Sequence, residues 1–204
     1  MKSDNIKAFN VIDEKVLEVL ESIPRDNFVP ELLKSFAYLE YEMPISNKQH
    51  MLLPSIEAQI LQSLNIKSNE SVLVIGTGTG YLSSCVALLA KNVVSIDIYE
   101  EFINLAKDNI HKLNTVKNLS FMKKNITSEW NLLKKYDVVL STASTESDKD
   151  IISNLGDDSR AFVFIGPDNS PIKNGLLIHK YKNESVIREY ILETNINPLL
   201  KDKQ

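Results

Sequence analysis

The sequence has one cysteine, one tryptophan and only six glycines in 204 residues, and no apolar run approaches the length of a membrane span. Each scarcity excludes something. A lone Cys85 cannot form an intramolecular disulfide, and its place just after a glycine turn reads as a small buried packing residue. A bilayer needs about 20 mostly apolar residues in a row. The opening Met1-Lys-Ser-Asp-Asn-Ile6 also lacks the apolar core of a secretion signal. No membrane association is expected, and a cytoplasmic protein fits best. Basic charge is short as well: 23 Lys and Arg against 27 Asp and Glu leave a net charge of −4. Such a balance exerts no general pull toward nucleic acid, whose phosphates demand dense cationic neutralisation. The lysine pairs at 123–124 and 134–135 read as solvated edges. His50, His111 and His179 stand apart from one another and from Cys85, so no metal site is expected. With 43% hydrophobic residues, the length suits one well-filled core and a single domain, and nothing in it sets an oligomeric state.

What glycine there is lies concentrated. Gly76, Gly78 and Gly80 follow the apolar run Ser71-Val-Leu-Val-Ile75, and Asp97 closes the next such run. A strand that turns into a helix within a few residues needs torsions that a side chain hinders, and glycine lets a ligand approach the main chain. The following helix start presents free N–H groups, while an acid about 20 residues on suits ribose hydroxyls. This is the pattern of a nucleotide-type cofactor site at the carboxyl ends of parallel strands. The spacing is Gly-x-Gly-x-Gly, with Tyr81 where a dinucleotide fingerprint wants its last glycine. That disfavours a nicotinamide dehydrogenase. A P-loop is excluded, since no Gly-Lys-Ser/Thr follows.

Around this turn the chain alternates regularly. Strands are expected at 71–76, 92–98, 119–124, 136–142 and 160–166, with helices at about 80–90, 100–113 and 146–154. The resulting βαβ units predict an α/β, Rossmann-like fold: a mostly parallel sheet with helices on both faces. The runs 176–179 and 186–192, joined by a turn-rich connector, predict a C-terminal antiparallel hairpin. Upstream, Ile12, Val16, Val19, Leu20 and Ile23 mark a helix that ends at Pro24. A proline- and aromatic-bearing stretch from 28 to 54 reads as short helical pieces and a lid or substrate-side loop. Pro54 then suits a helix first turn, with Ile56, Ile60, Leu61 and Leu64 on its apolar face. Residues 1–66 thus form an N-terminal helical and substrate-loop extension, and residues 67–204 the Rossmann-like core. In the helix at 100–113, Phe102, Leu105, Ala106, Asn109, Ile110 and Leu113 form the core-facing stripe.

Val72-Leu-Val-Ile-Gly-Thr-Gly-Thr-Gly-Tyr81, followed by Val93-Val-Ser-Ile-Asp97, resembles the first two motifs of S-adenosylmethionine (SAM)-dependent methyltransferases. More narrowly, the chain resembles the protein-L-isoaspartate O-methyltransferases. Pro24-Arg-Asp-Asn-Phe-Val-Pro30, Ala37-Tyr38, Met43-Pro-Ile45, Gln49 and Pro54 match that family's N-terminal signature in order. Lys124-Asn-Ile-Thr-Ser-Glu-Trp130 and Tyr136-Asp-Val-Val-Leu-Ser-Thr-Ala143 match its later motifs, so the likeness covers nearly the whole chain. The resemblance implies methyl transfer from SAM to a carboxylate in repair of damaged protein. The substrate would be an isoaspartyl-type protein or peptide, or a small carboxylate acceptor. It also implies that Gly76, Gly78 and Gly80 bracket the methionine part of the cofactor, with Thr77 and Thr142 among the cofactor-binding residues. Asp97 would meet the ribose, and Asn125 and Ile126 the adenine, with Ile98 also among the cofactor-binding residues. The family has Asp at position 125; Asn can accept from the adenine amino group through its amide oxygen, without charge assistance.

The family's substrate loop reads Gly-His-Gly-Gln, then Thr-Ile-Ser shortly before a proline. Here it is Ser46-Asn-Lys-Gln-His-Met-Leu-Leu-Pro54, so Leu52 stands in place of the functional serine. Leucine donates no hydrogen bond to a substrate carboxylate. Ser46, Gln49, His50 and backbone N–H groups are the candidates to replace that contact; Lys48, where the family has glycine, reads as solvent-exposed. As a loop histidine, His50 is read first as an exposed or packing residue and only second as a group that binds an acidic substrate. Three readings follow: an isoaspartyl methyltransferase, a SAM enzyme with a different acceptor, and a SAM-binding protein without the isoaspartyl activity.

Overall fold

A computed structural model describes residues 6–113 and 115–201. Helix α1 (Glu14–Ser22) starts where the Asp13 carboxylate accepts from the backbone N–H groups of Lys15 and Val16, and it buries Val16, Leu17, Val19 and Leu20. Ile12, expected on that face, is 77% exposed because it precedes the cap, where the helical period does not yet apply. After Pro24 come two 3-10 turns, Arg25–Asn27 and Glu31–Phe36. A short antiparallel ribbon follows, with β1 (Met43–Pro44) pairing β2 (His50–Met51). Helix α2 (Pro54–Leu64) has its proline in the first turn, and Glu40 accepts from both the N–H and the hydroxyl of Ser55 there.

The sheet is built from β3 (Ser71–Ile75), β4 (Asn92–Asp97), β5 (Leu119–Lys123), β6 (Val138–Thr145), β7 (Ser159–Ile165), β8 (Ile172–Lys180) and β9 (Val186–Asn195), in the spatial order β5-β4-β3-β6-β7-β8-β9. The first five strands in that order pair in parallel, and β8 and β9 add on antiparallel. Helices α3 (Tyr81–Leu89), α4 (Glu100–His111) and α5 (Lys149–Asn154) connect them. Alternate strand residues face two cores. Val72, Val74, Val138, Leu140, Phe162 and Phe164 pack with α1, α2 and α3 on one side. Leu73, Ile75, Ile96, Val139, Ala161 and Val163 pack with α5 and the 126–135 connection on the other. β3 and β6 are neighbours from which the chain departs in opposite directions, so their carboxyl ends open the crevice such sheets use for ligands.

The departures from expectation are local. β6 begins at 138 and runs to Thr145 through a register shift between Leu140 and Ser144. β8 begins at 172, because ladder pairing holds Ile172-Lys-Asn174 against β9 although the segment has no apolar alternation. Lys173 is buried there, with Nζ donating to the Pro167 carbonyl. The connection after β5 forms two 3-10 turns, Ile126–Ser128 and Trp130–Lys135. On α4, Leu105 is 38% exposed while Phe102 and Ala106 are buried. The apolar stripe is narrower than its sequence spacing suggests.

Candidate functional site

The glycine turn leaves β3 with Gly76, Gly78 and Gly80 all in the left-handed region, at φ 92°, 51° and 87°. Their reasons differ. A Cβ at Gly76 would collide with Thr142 Oγ1, whose hydroxyl donates to the carbonyls of Ile75 and Gly76 at 3.2 and 3.0 Å. At Gly80 a Cβ would come within 2.8 Å of Ala106 Cβ, so this glycine brings α3 and α4 together and lines no part of the crevice. At Gly78, by contrast, a Cβ would make only ordinary van der Waals contact, with Ile45 Cδ1 at 3.7 Å as its nearest neighbour.

Asp97 ends β4 beside this turn. Its Oδ2 accepts from the backbone N–H groups of Thr77 at 2.8 Å and Gly78 at 3.2 Å, and its Oδ1 from that of Tyr99 at 3.0 Å. Burial pushes its carboxyl above the ordinary carboxylate value, and these backbone bonds pull it back. The carboxylate thus holds the turn in shape, accepting from the main chain on both oxygens. Beneath it, Thr77 Oγ1 and Ser83 Oγ both meet Ser95 Oγ, at 2.8 and 2.9 Å, tying turn, strand and helix together.

A crevice of about 670 Å³, including its mouth, runs along these strand ends and is lined among others by Gly76, Gly78, Asp97, Ile98, Ile126 and Thr142. Asn125 also lines it, but its Oδ1 accepts from Thr127 N–H at 3.1 Å and Thr127 Oγ1 at 2.9 Å, capping the next 3-10 turn. Its amide oxygen is therefore engaged within the chain, as an Asn at such a start is drawn to its own downstream N–H. Lys124, expected as a solvated edge, lines the crevice and pairs with Glu129 at 2.5 Å. Pro198, Leu199 and Leu200 close one side, a contribution that no motif in the sequence announces. This tail runs back from β9 and bonds to Ser144, whose N–H donates to the Asn197 carbonyl and whose carbonyl accepts from Leu199 N–H. An Asn-Pro-Leu-Leu segment after the last strand is the only sequence signal for it.

A second cavity adjoins the first and shares Ile45, Gln49, His50, Gly76, Gly78 and Thr142 with it. Its own lining includes Leu52, Glu57, Thr77 and Tyr81. Of the loop candidates, Ser46 donates to Glu101 and lines neither cavity. Gln49 lines both, and its Oε1 accepts from Asn197 at 3.0 Å. His50 lines both as well; its Nε2 lies 3.8 Å from Glu42 Oε2, and its Nδ1 is buried without a hydrogen-bond partner. Lys48 is exposed. Leu52 is buried, and its carbonyl is held by Arg25.

That arginine carries no chemical signal in the sequence beyond its place in the N-terminal signature. It is fully buried, donating Nε–H to Glu57 at 2.9 Å, Nη1–H to the Ala37 carbonyl at 2.6 Å and Nη2–H to the Leu52 carbonyl at 2.7 Å. Tyr81 packs below, its ring centre 5.5 Å from the guanidinium. Burial pushes the Glu57 carboxyl up to about 7 against the pull of Arg25, while Glu57 holds Arg25 above its ordinary value. The two tendencies oppose each other; with three acceptors around the guanidinium, Arg25 stays a cation throughout and the pair is ionised above about pH 7.

Strand order, the glycine turn at the switch point and the acid ending the next strand define the Rossmann-like class of SAM-dependent methyltransferases. A Plasmodium falciparum protein described as an isoaspartate O-methyltransferase, in complex with S-adenosyl-L-homocysteine, shares this fold at a TM-score of 0.82, with 20% identity over 98% of this chain and 97% of that one. The chain belongs to the protein-L-isoaspartate(D-aspartate) O-methyltransferase family, whose model matches residues 3–204. Among its relatives, the protein-L-isoaspartate O-methyltransferase of Methanoculleus marisnigri is 33% identical over 79% of this chain and 74% of its own length. Protein-L-isoaspartate O-methyltransferase 1 of Syntrophobacter fumaroxidans is 34% identical over 81% and 78%. The protein is accordingly a SAM-dependent O-methyltransferase. Among the described residues no helix is long and apolar enough to cross a membrane.

Proposed function

We propose that this chain methylates the free carboxylate of an isoaspartyl residue in a protein or peptide, with cofactor in the larger crevice and acceptor in the adjoining cavity. The observation that carries the reading is the shared wall: Gly76, Gly78 and Thr142 line both spaces, so a donor in one meets an acceptor in the other. The crevice fits the cofactor, since the one place where a side chain would intrude without striking protein, Gly78, faces into it. Gly76, Thr77, Gly78 and Thr142 would hold the methionine end, with Gly80 acting through the turn it sets. Asp97 and Ile98 would take the ribose, and Ile126 with Asn125 would flank the adenine.

When bound, SAM supplies a methyl group activated on a sulfonium. The chain's task is alignment, because an acceptor carboxylate is ionised at neutral pH and needs no base to become a nucleophile. Ile45, Phe102 and Ile126 supply apolar walls to the crevice. Arg25 holds the loop from beneath at the Leu52 carbonyl.

The loop favours a second reading, in which the acceptor is a different carboxylate: Leu52 faces the acceptor cavity where the family has a hydrogen-bonding serine. Purified protein with methyl-labelled SAM is expected to label an isoaspartyl peptide and to leave the matching aspartyl peptide unlabelled. Labelling of other carboxylates alone would establish the second reading. The cytoplasm as the working compartment is part of the same proposal.

A further inference from the structure

We propose that His50, oriented by Glu42, is the residue that binds the acceptor carboxylate in this chain, supplying the hydrogen bond that the Leu52 side chain cannot make. The inference rests on the proposed arrangement of donor crevice and acceptor cavity. His50 stands on the wall common to the two spaces, and of the six residues there it alone is titratable. Gln49, the other long polar group, is already engaged by Asn197. Thr142 directs its hydroxyl to the carbonyls of Ile75 and Gly76. His50 Nδ1, by contrast, is buried with no partner. A buried polar atom left unsatisfied costs about 1–3 kcal/mol, and a ligand that supplies the partner recovers it.

The ribbon sets the geometry. Pro44 pairs with His50 across β1 and β2, which brings Glu42 to the Nε2 side of the ring at 3.8 Å. Glu42 is itself steadied by Asn195 Nδ2 at the end of β9, at 3.4 Å. The doubly protonated ring is the form that can bind, with Nε2–H on the Glu42 side and Nδ1–H left for the acceptor, holding one carboxylate oxygen while the other faces the donor. No proton is transferred; the ring contributes charge and direction. The other ionisable groups on these walls are Asp97, Tyr99 and Lys124 in the larger crevice, and Glu57 and Tyr81 in the smaller. Lys124 is paired with Glu129 and Glu57 with Arg25. Ser46 lies off this wall, bonded to Glu101, and the Gln49 amide oxygen is taken by Asn197, which leaves His50 as the polar side chain there with an unengaged atom.

The test uses the full chain with S-adenosylhomocysteine bound. Its three histidines can be followed by NMR, with His50 assigned by its disappearance in His50→Gln. The His50 ring signals are expected to shift on addition of an isoaspartyl peptide and to stay in place with the aspartyl peptide. In steady-state assays His50→Gln and His50→Ala should raise the peptide KM about tenfold or more, the worth of one charge-assisted hydrogen bond. S-adenosylhomocysteine affinity should fall by a clearly smaller factor than the peptide KM rises, since the bond is to acceptor and not to cofactor. His50→Asn, whose amide nitrogen falls near Nδ1, should recover part of the loss, and Glu42→Gln should raise KM by a smaller factor. A labelled peptide with KM unchanged in His50→Gln overturns the role of His50 and leaves the isoaspartyl reading standing. A ring shift with an unlabelled peptide keeps His50 as the carboxylate binder and discards that reading. An unlabelled peptide with an unmoved ring overturns both.

Discussion

At Gly76 and Gly78 one backbone requirement serves two ends. Both have positive φ, but a side chain at 76 runs into Thr142 whereas one at 78 enters the crevice. Gly76→Ala is therefore expected to lower stability by about 2–4 kcal/mol, combining overpacking with left-handed strain. Gly78→Ala should cost only about 1 kcal/mol from strain, yet weaken S-adenosylhomocysteine binding by an order of magnitude or more. Urea unfolding and calorimetric titration of the two variants separate these effects, and the reverse ranking would refute the assignment of Gly78 to the ligand. The glycines stand out in the sequence, but which of them meets a ligand depends on Thr142 and Ala106, remote in the chain. Asn125 shows the opposite limit: a local bond to Thr127 takes up the oxygen that the motif assigns to the adenine.

Among the elements, the substrate loop is held from both ends of the chain. Gln49 N–H donates to the Ser46 carbonyl across Asn47 and Lys48, whose φ values of 54° and 57° are those of a mirror-image hairpin turn. Lys48 occupies that left-handed position where the family has glycine, so the substitution keeps the turn with added strain. Asn197 then fastens the loop, donating Nδ2–H to the Lys48 carbonyl at 3.2 Å and to Gln49 Oε1 at 3.0 Å. Removing it in Asn197→Ala should cost about 1–2 kcal/mol of loop order, one or two hydrogen bonds' worth. Hydrogen exchange is expected to quicken at the amides of 46–50 and to stay unchanged in β3 and β4; equal protection in variant and parent would show that the tail does not hold the loop. The strands and α-helices of the core are legible from periodicity because each buries a regular face. The tail is not, since a few residues that close a crevice carry no period.

Stability of the whole molecule carries the mark of the buried Arg25–Glu57 pair. Glu57 titrates near 7 in the folded chain and at its ordinary value when unfolded. The folded state thus retains a proton that the unfolded state has released, and stability from this group declines as pH rises from about 4.5 to 7. The decline is about 1 kcal/mol per pH unit and about 3 kcal/mol in all. Glu57→Gln should flatten that part of the pH–stability curve in chemical denaturation; an identical slope in parent and variant would mean that Glu57 is not the group concerned. The sequence by itself determined the parallel βαβ core, the glycine turn with Asp97 behind it, the family and hence the methyl donor, because these follow from neighbours a few residues apart and from motif order. Only the tertiary structure decided that Gly78 faces the crevice, that Arg25 and Glu57 lie under the loop, that the tail closes the crevice and that His50 has Glu42 beside it. Each of those contacts joins residues brought together by folding, and burial, charge and hydrogen bonding act through space, where local periodicity records nothing.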